Sequence, residues 1–172
     1  MPRYFIGRHV ADHTLTQADA RTFPDLVKTL LGLPVRLAVT HDEFWRMTKP
    51  EQAEVKKVPY LVACTFPASP HSGRKVEFAE ACNLIFLDID DSPETRETAL
   101  LFLSSPGTLA DRLDGLNFAA YRTASSTPEK PRLRVMVDAD GIPPARYADA
   151  VRTVARRLGL AHVTGESVLP TQ

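Results

Sequence analysis

The sequence predicts a mixed α/β (α+β) domain, and three observations carry that reading. Strand-length apolar runs alternate with helical segments, as where Leu84-Ile85-Phe86-Leu87 is followed by a helix start at Ser92. Two strand-like runs, Phe118 to Thr123 and Leu133 to Asp138, flank a short polar loop, the pattern of an antiparallel hairpin. The length, 172 residues, suits one domain with a real core.

In chain order, Tyr4 to Val10 reads as a short strand. Phe23 to Leu31 reads as a helix, with Pro24 and Asp25 in its first turn and Gly32 past its end. Val35 to Val39 alternates like a strand. Thr40 and Glu43 then fit a capping box, because Glu43 can reach back to the Thr40 amide. Thr48 and Glu51 repeat the signal and open a second short helix ending near Lys57. Tyr60 to Thr65 is a strand, and 67–73 a loop. Ala81 to Asp90 contains the strongest strand, Leu84-Ile85-Phe86-Leu87, apolar on both faces as a central strand should be. Ser92 caps a helix with Pro93 at its first position, and Ser104 to Gly107 breaks it. After the hairpin, Pro143 to Leu158 is an amphipathic helix. Tyr147, Val151, Val154, Ala155 and Leu158 share one face, and Gly159 closes it.

Composition excludes several classes. Lysine plus arginine number 21 and so do aspartate plus glutamate, for zero net charge. With 44% apolar residues the chain is not a disordered polyelectrolyte. A broad basic surface that binds duplex DNA by charge alone is also unexpected. Cys64 and Cys82 cannot build a disulfide framework, so they read as buried small apolar residues in a reduced, cytoplasmic compartment. No apolar run approaches the ~18 residues of a membrane span, and Met1 to Gly7 does not read as a signal peptide.

The sharpest chemical signal is the acidic end of the central strand, Asp88-Ile89-Asp90-Asp91. Strand periodicity puts Asp88 and Asp90 on one face, about 7 Å apart. Carboxylates so placed repel, and a divalent cation relieves the repulsion. Hard oxygen donors suit Mg²⁺ or Mn²⁺, which bring substrate phosphates with them. An apolar strand running into Asp-x-Asp is shared by nucleotidyl transferases, phosphatases and some glycosyl transferases. The plain alternative is a solvated strand end ahead of a helix. The second signal is the hairpin itself. Arg132 and Arg134 share a face, and Ser125, Ser126 and Thr127 add neutral donors, a set that suits a triphosphate or a nucleic-acid backbone. The plain alternative is a hairpin whose arginines pair with carboxylates.

In this order the two signals resemble the archaeo-eukaryotic primase superfamily, the primase-polymerase domains, as found in phage and mobile-element replication proteins. The resemblance rests on Asp88-Ile89-Asp90, then Tyr121, Thr123, Ser125, Thr127-Pro128-Glu129-Lys130-Pro131-Arg132 and Arg134-Val135. Lys57-Val58-Pro59-Tyr60 and Gly73-Arg74 lead in, and the whole covers about residues 50 to 150. It implies an RRM-like catalytic sheet over 59–172 preceded by a small N-terminal α/β unit over 1–58, together one domain. The implied activity is metal-dependent nucleotidyl transfer, as a DNA primase or polymerase, in replication of a phage, plasmid or mobile element. Asp88 and Asp90 would hold Mg²⁺ or Mn²⁺, with Asp138 as a third acidic ligand. Arg74, Ser125, Ser126, Lys130, Arg132 and Arg134 would bind nucleotide or DNA. The implied partners are nucleoside triphosphates, single-stranded DNA or a primer-template, and a fused or associated helicase, which makes this the N-terminal part of a longer replication protein.

One position departs from the family. Its small-x-His pattern falls on Ala124, Ser125 and Ser126. Serine donates a hydrogen bond but cannot carry a histidine's charge. The alternative is therefore a primase-like module that binds DNA without catalysis. Asp88-Ile89-Asp90 also resembles the nucleophile and acid pair of haloacid-dehalogenase-like phosphatases, a third reading. Elsewhere, His9 and His13 lack a third ligand, His71 lies in the loop before Arg74, and Phe44 with Trp45 reads as core.

Overall fold

A computed structural model of the chain describes residues 3–8, 14–32, 39–67, 75–90, 92–93 and 95–171, without the side chains of His41 and Val76. Its elements are β1 (Phe5–Gly7), β2 (Leu15–Gln17), α1 (Phe23–Gly32), α2 (His41–Arg46), α3 (Lys49–Val55), β3 (Tyr60–Val62), β4 (Cys64–Thr65), β5 (Ala81–Ile89), α4 (Arg96–Ser104), α5 (Pro106–Arg112), β6 (Phe118–Arg122), β7 (Leu133–Ile142) and α6 (Tyr147–Arg157). The fold is mixed α/β. Among the described residues it has six helices and two antiparallel sheets, ordered β2-β1-β3 and β4-β5-β7-β6. Of the strand expected over 35–39 only Val39 is described. His9, His13, His71, Arg74 and Asp91 lie outside the described residues. No helix among the described residues is long and apolar enough to cross a membrane.

β5 is the strand that the apolar run predicts, and β7 is its central partner. Side chains alternate with period two, so one sheet face collects Ile85, Leu87, Ile89, Leu133, Val135 and Val137. All six are at most 5% exposed. Burying each side chain contributes about 1.5–3 kcal/mol. α4 and α6 both pack against β5. α6 buries Tyr147, Val151, Val154 and Ala155, the stripe its periodicity predicts, and Leu158 beyond its end is buried too. Gly159 closes it at φ +77°, a left-handed conformation that favours glycine.

The segment expected as one strand from Tyr60 to Thr65 is two. Tyr60–Val62 pairs with β1, and Cys64–Thr65 pairs with β5. At the bend, the Ala63 carbonyl accepts from the Asn83 amide at 2.9 Å and the Leu84 amide at 3.3 Å. One stretch of chain thus belongs to both sheets and ties the N-terminal unit to the larger one. The buried Asn83 side chain reinforces this tie. Its Nδ2 donates to the Arg3 carbonyl at 2.8 Å, and its Oδ1 accepts from the Gly141 amide at 3.2 Å. β7 bulges here, since Leu84 faces Asp138 while Cys82 faces Ile142. β7 therefore runs four residues past the predicted end at Asp138.

β4 covers only the start of the outer edge of β5. Further along, the Phe86 amide donates to the Tyr147 hydroxyl at 3.1 Å, and the Asp88 amide donates to Ser167 Oγ at 3.0 Å. Side chains thus satisfy edge donors that a longer strand would have paired. The end of the chain folds back to do so. Cys64 Sγ donates to the Pro170 carbonyl at 2.6 Å, with Cys82 Sγ 3.2 Å away, and both thiols are buried as predicted.

The helix expected from Pro143 begins at Tyr147, after a short 3-10 turn over Pro144–Arg146, and the boundaries around Ser92 and Ser104 differ as well. α4 starts at Arg96 with Thr95 before it, not at Pro93 after Ser92. The Ser92 carbonyl accepts from the Thr95 and Arg96 amides, so the chain turns on Ser92 before the helix begins. The break after Ser104 holds, but a further helix, α5, starts at once with Pro106 at its first position. Its seven residues are too few for a clear periodic signal. Both predicted capping boxes form, with the Thr40 amide 2.7 Å from Glu43 Oε2 and the Thr48 amide 2.7 Å from Glu51 Oε2.

These contacts yield two predictions. Tyr147→Phe leaves the Phe86 amide unpaired and should cost about 1–3 kcal/mol in urea denaturation; an unchanged midpoint would show that water serves that edge equally well. Hydrogen bonds from Thr40 and Thr48 hold the Glu43 and Glu51 carboxyls below their ordinary value of 4.5. Each contribution is therefore fully present above about pH 4.5 and lost as pH falls through the depressed folded value. The Thr40 and Thr48 amide resonances should titrate in that acid window, before the core unfolds.

Candidate functional site

The register of three strands builds a charged row across the larger sheet. Asp88 on β5 faces Arg134 on β7, which faces Tyr121 on β6. Arg134 Nε donates to Asp88 Oδ1 at 2.6 Å and Nη2 donates to Oδ2 at 2.7 Å, a two-pronged pair. The Asp88 side chain is only 10% exposed, against 38% for Arg134. The hydrogen bonds to Asp88 push the Arg134 guanidinium pKa well above its usual value, with burial opposing. Just past the paired ends of the two strands comes a second, looser rung, with Arg132 Nη1 4.0 Å from Asp90 Oδ1. Both rungs point to the face opposite the aliphatic one. The two aspartates do share a face, as predicted. Their repulsion, however, is relieved by guanidinium groups on the neighbouring strand, and the hairpin arginines pair with carboxylates as in the plain reading.

Asp138 does not join them. It shares their face but sits opposite Leu84, with the Phe86–Met136 row between it and the Asp88–Arg134 rung. That separation is about 13 Å along the strand. Its carboxylate accepts from the Tyr4 hydroxyl at 3.2 Å and from Asn117 Nδ2 at 3.3 Å. Burial, then the Asp138 charge, pushes the Tyr4 phenol above its usual range. Asp138 thus helps to dock the N-terminal unit on the sheet. Among the described residues no three His, Cys, Asp or Glu side chains cluster for a metal. Asp88 and Asp90 fit Mg²⁺ or Mn²⁺ in donor type, as hard oxygens side by side. A metal at Asp88 would have to take the place of the Arg134 guanidinium.

The hairpin loop turns its hydroxyls inward. Ser126 Oγ accepts from the Arg132 amide at 2.9 Å, and the Ser126 amide donates to the Thr123 carbonyl at 2.9 Å. Thr127 Oγ1 accepts from the Lys130 amide at 2.8 Å. Ser125 is half-buried in the same turn, and Lys130 is exposed at its tip. Asp88, Asp90, Arg132 and Arg134 are therefore brought together, with the loop serines beside them and Lys130 beyond.

α2 leans against this loop and leaves two crevices. One, of about 450 Å³, lies between Val39, Thr40 and Phe44 on one side and Arg122, Thr123 and Ser126 on the other. A smaller one, of about 190 Å³, is lined by Trp45, Thr127, Glu129 and Lys130. Phe44 is buried as predicted, whereas Trp45 is 37% exposed at the smaller crevice. Lys56, just past α3, carries no sequence signal. Its ammonium sits 5.0 Å from the centre of the Phe44 ring, close enough to Arg132 to feel its charge.

No known protein family, curated protein or solved structure matches this chain.

If the Asp88–Arg134 rung holds β5 to β7, Asp88→Asn should lower stability by about 1.5 kcal/mol, the low end for a charged hydrogen bond that is partly exposed. Asp88→Leu combined with Arg134→Met should recover much of that loss, because no charge is left without its partner. Urea denaturation of the three proteins measures both effects, and an Asp88→Asn midpoint equal to wild type would mean that the rung adds nothing to the fold.

Proposed function

We propose that this chain is a primase-polymerase-type domain, with an RRM-like sheet, that binds nucleoside triphosphates and single-stranded or primer-template DNA and performs metal-dependent nucleotidyl transfer. The observation that carries the reading is the pair of adjacent rungs, Asp88–Arg134 and Asp90–Arg132. A metal-bound triphosphate contains both charges that such rungs can exchange. The cation can replace the guanidinium groups at the aspartates, and phosphate oxygens can replace the aspartates at the arginines. Each charge then stays paired, which avoids the large cost of an isolated buried ion. Asp88 and Asp90 would hold Mg²⁺ or Mn²⁺, which when bound lowers the charge on the triphosphate. Arg132 and Arg134 would hold the phosphates, and the exposed Lys130 would meet nucleotide or template.

The strand order supports the RRM-like part. β5, the helices α4 and α5, β6, β7 and α6 follow one another, with β7 between β5 and β6. That is the order of a βαββαβ unit up to its last strand. Its place in a phage, plasmid or mobile-element replication protein, beside a helicase, rests on the resemblance of residues 50 to 150.

One observation favours the second reading, DNA binding without catalysis. Ser126 stands where the family's histidine pattern falls, and its hydroxyl is engaged by the Arg132 amide. Primer extension and de novo synthesis with Mn²⁺ decide between the two. The wild type should incorporate nucleotide, and Asp88→Ala with Asp90→Ala should abolish incorporation. Salt-sensitive binding of single-stranded DNA with no incorporation by the wild type would replace the first reading with the second.

A further inference from the structure

Two buried side-chain atoms among the described residues lack a hydrogen-bond partner, Thr123 Oγ1 and Arg132 Nε. They belong to neighbouring positions on the hairpin, where the Thr123 amide donates to the Arg132 carbonyl at 3.3 Å. A buried polar atom without a partner is costly, so two on paired residues mark a place where a ligand can supply the missing bonds. Arg132 is weakly engaged elsewhere, since its ion pair with Asp90 spans 4.0 Å.

Lys56 adds a second cation at this place. It forms no ion pair with a carboxylate among the described residues, and its ammonium rests on the Phe44 ring. Burial, then the Arg132 charge, holds its pKa below the usual lysine value. Two like charges near each other in a partly buried site repel, and an anion relieves them. The 450 Å³ crevice is reached through Thr123 and Phe44, which line it, while Lys56 sits on the Phe44 ring and Arg132 is paired to Thr123 through the backbone. Val39, Phe44, Ala124 and Pro128 give it an apolar lining, and Arg122, Thr123 and Ser126 add polar groups. Its volume lies in the range of small-molecule sites.

We propose that Lys56, Arg132 and Thr123 form a phosphate-binding position, and that the adjoining crevice takes the base and sugar of the same nucleoside phosphate. This deepens, and rests on, the nucleotide-binding reading above. The phosphate oxygens accept from Lys56 Nζ, Arg132 Nε and Thr123 Oγ1, and the base lies along the side formed by Phe44 and Pro128. Lys56 and Phe44 come from the N-terminal unit and Arg132 and Thr123 from the larger sheet, so the site exists only where the two meet.

The test is calorimetric titration of the full chain in EDTA with ATP, dATP and inorganic tripolyphosphate. The proteins are the wild type, Lys56→Gln, Lys56→Arg and Thr123→Val, with circular dichroism confirming that each is folded. The wild type should bind the nucleotides more tightly than tripolyphosphate. Lys56→Gln should weaken nucleotide binding about tenfold, the loss of one charged hydrogen bond, while Lys56→Arg keeps most of it. Thr123→Val should weaken it several-fold. Wild-type affinity in both Lys56→Gln and Thr123→Val, or no nucleotide binding by the wild type, would overturn the site. Equal affinity for tripolyphosphate would overturn the crevice as the base position. Primer extension separates this from the broader reading. Extension with an unchanged nucleotide KM in Lys56→Gln would remove this site and leave nucleotidyl transfer standing. Lys56-dependent binding without extension would do the opposite.

Discussion

Asp88 meets Arg134 because β5 and β7 pair antiparallel in one register, and that register is over-determined. A slip of one residue would turn Ile85, Leu87 and Ile89 toward the charged face and press Asp88 among aliphatic side chains. The apolar face supplies most of the energy that prevents this, since six nearly inaccessible side chains outweigh one partly exposed ion pair. The ionic rungs add specificity, because each carboxylate finds a guanidinium only at the native offset.

The rest of the molecule is arranged around this pair of strands. The bulge opposite Asn83 shifts the pairing beyond Leu84 and frees Asn83 to bond Arg3 and Gly141. The chain from Tyr60 to Thr65 then changes sheets at Ala63, which brings the N-terminal unit over one end of the charged face. Tyr4 on Asp138 marks where that cover ends. Past it, the rungs, the hairpin loop, α2 and Lys56 frame the uncovered part. Arginines stand opposite the two aspartates, so carboxylate does not face carboxylate across the strands. Lys56 adds a cation near the looser of the two rungs, so the zero net charge of the chain does not mean an evenly neutral surface here.

Much of this could be read from residue order. The continuous apolar run through Leu84–Leu87, the hairpin of β6 and β7, the stripe of α6 and both capping boxes depend on neighbours in sequence, and all appear. The shared face of Asp88 with Asp90 and of Arg132 with Arg134 follows from strand parity alone. Readings failed where a distant contact competed with a local signal. Ser92 and Pro93 look like a helix start, yet the chain first makes a turn on the Ser92 carbonyl, and the helix begins at Arg96. Tyr60 to Thr65 looks continuous because nothing in those six residues records that two sheets share them. Asp138 has the residue type of a third metal ligand, but its position four residues from Arg134 carries it about 13 Å away.

What the sequence determined by itself is which residues alternate, which cap, and which charges share a face, because each is set within a few residues by backbone geometry. What only the tertiary structure decided is which charges meet. Strand pairing made Arg134 the partner of Asp88, and packing of the N-terminal unit placed Lys56, 76 positions from Arg132 along the chain, where it feels that charge. Coulomb interactions fall off with distance through space and take no account of distance along the chain, so their outcome appears only once the register and the packing are in place.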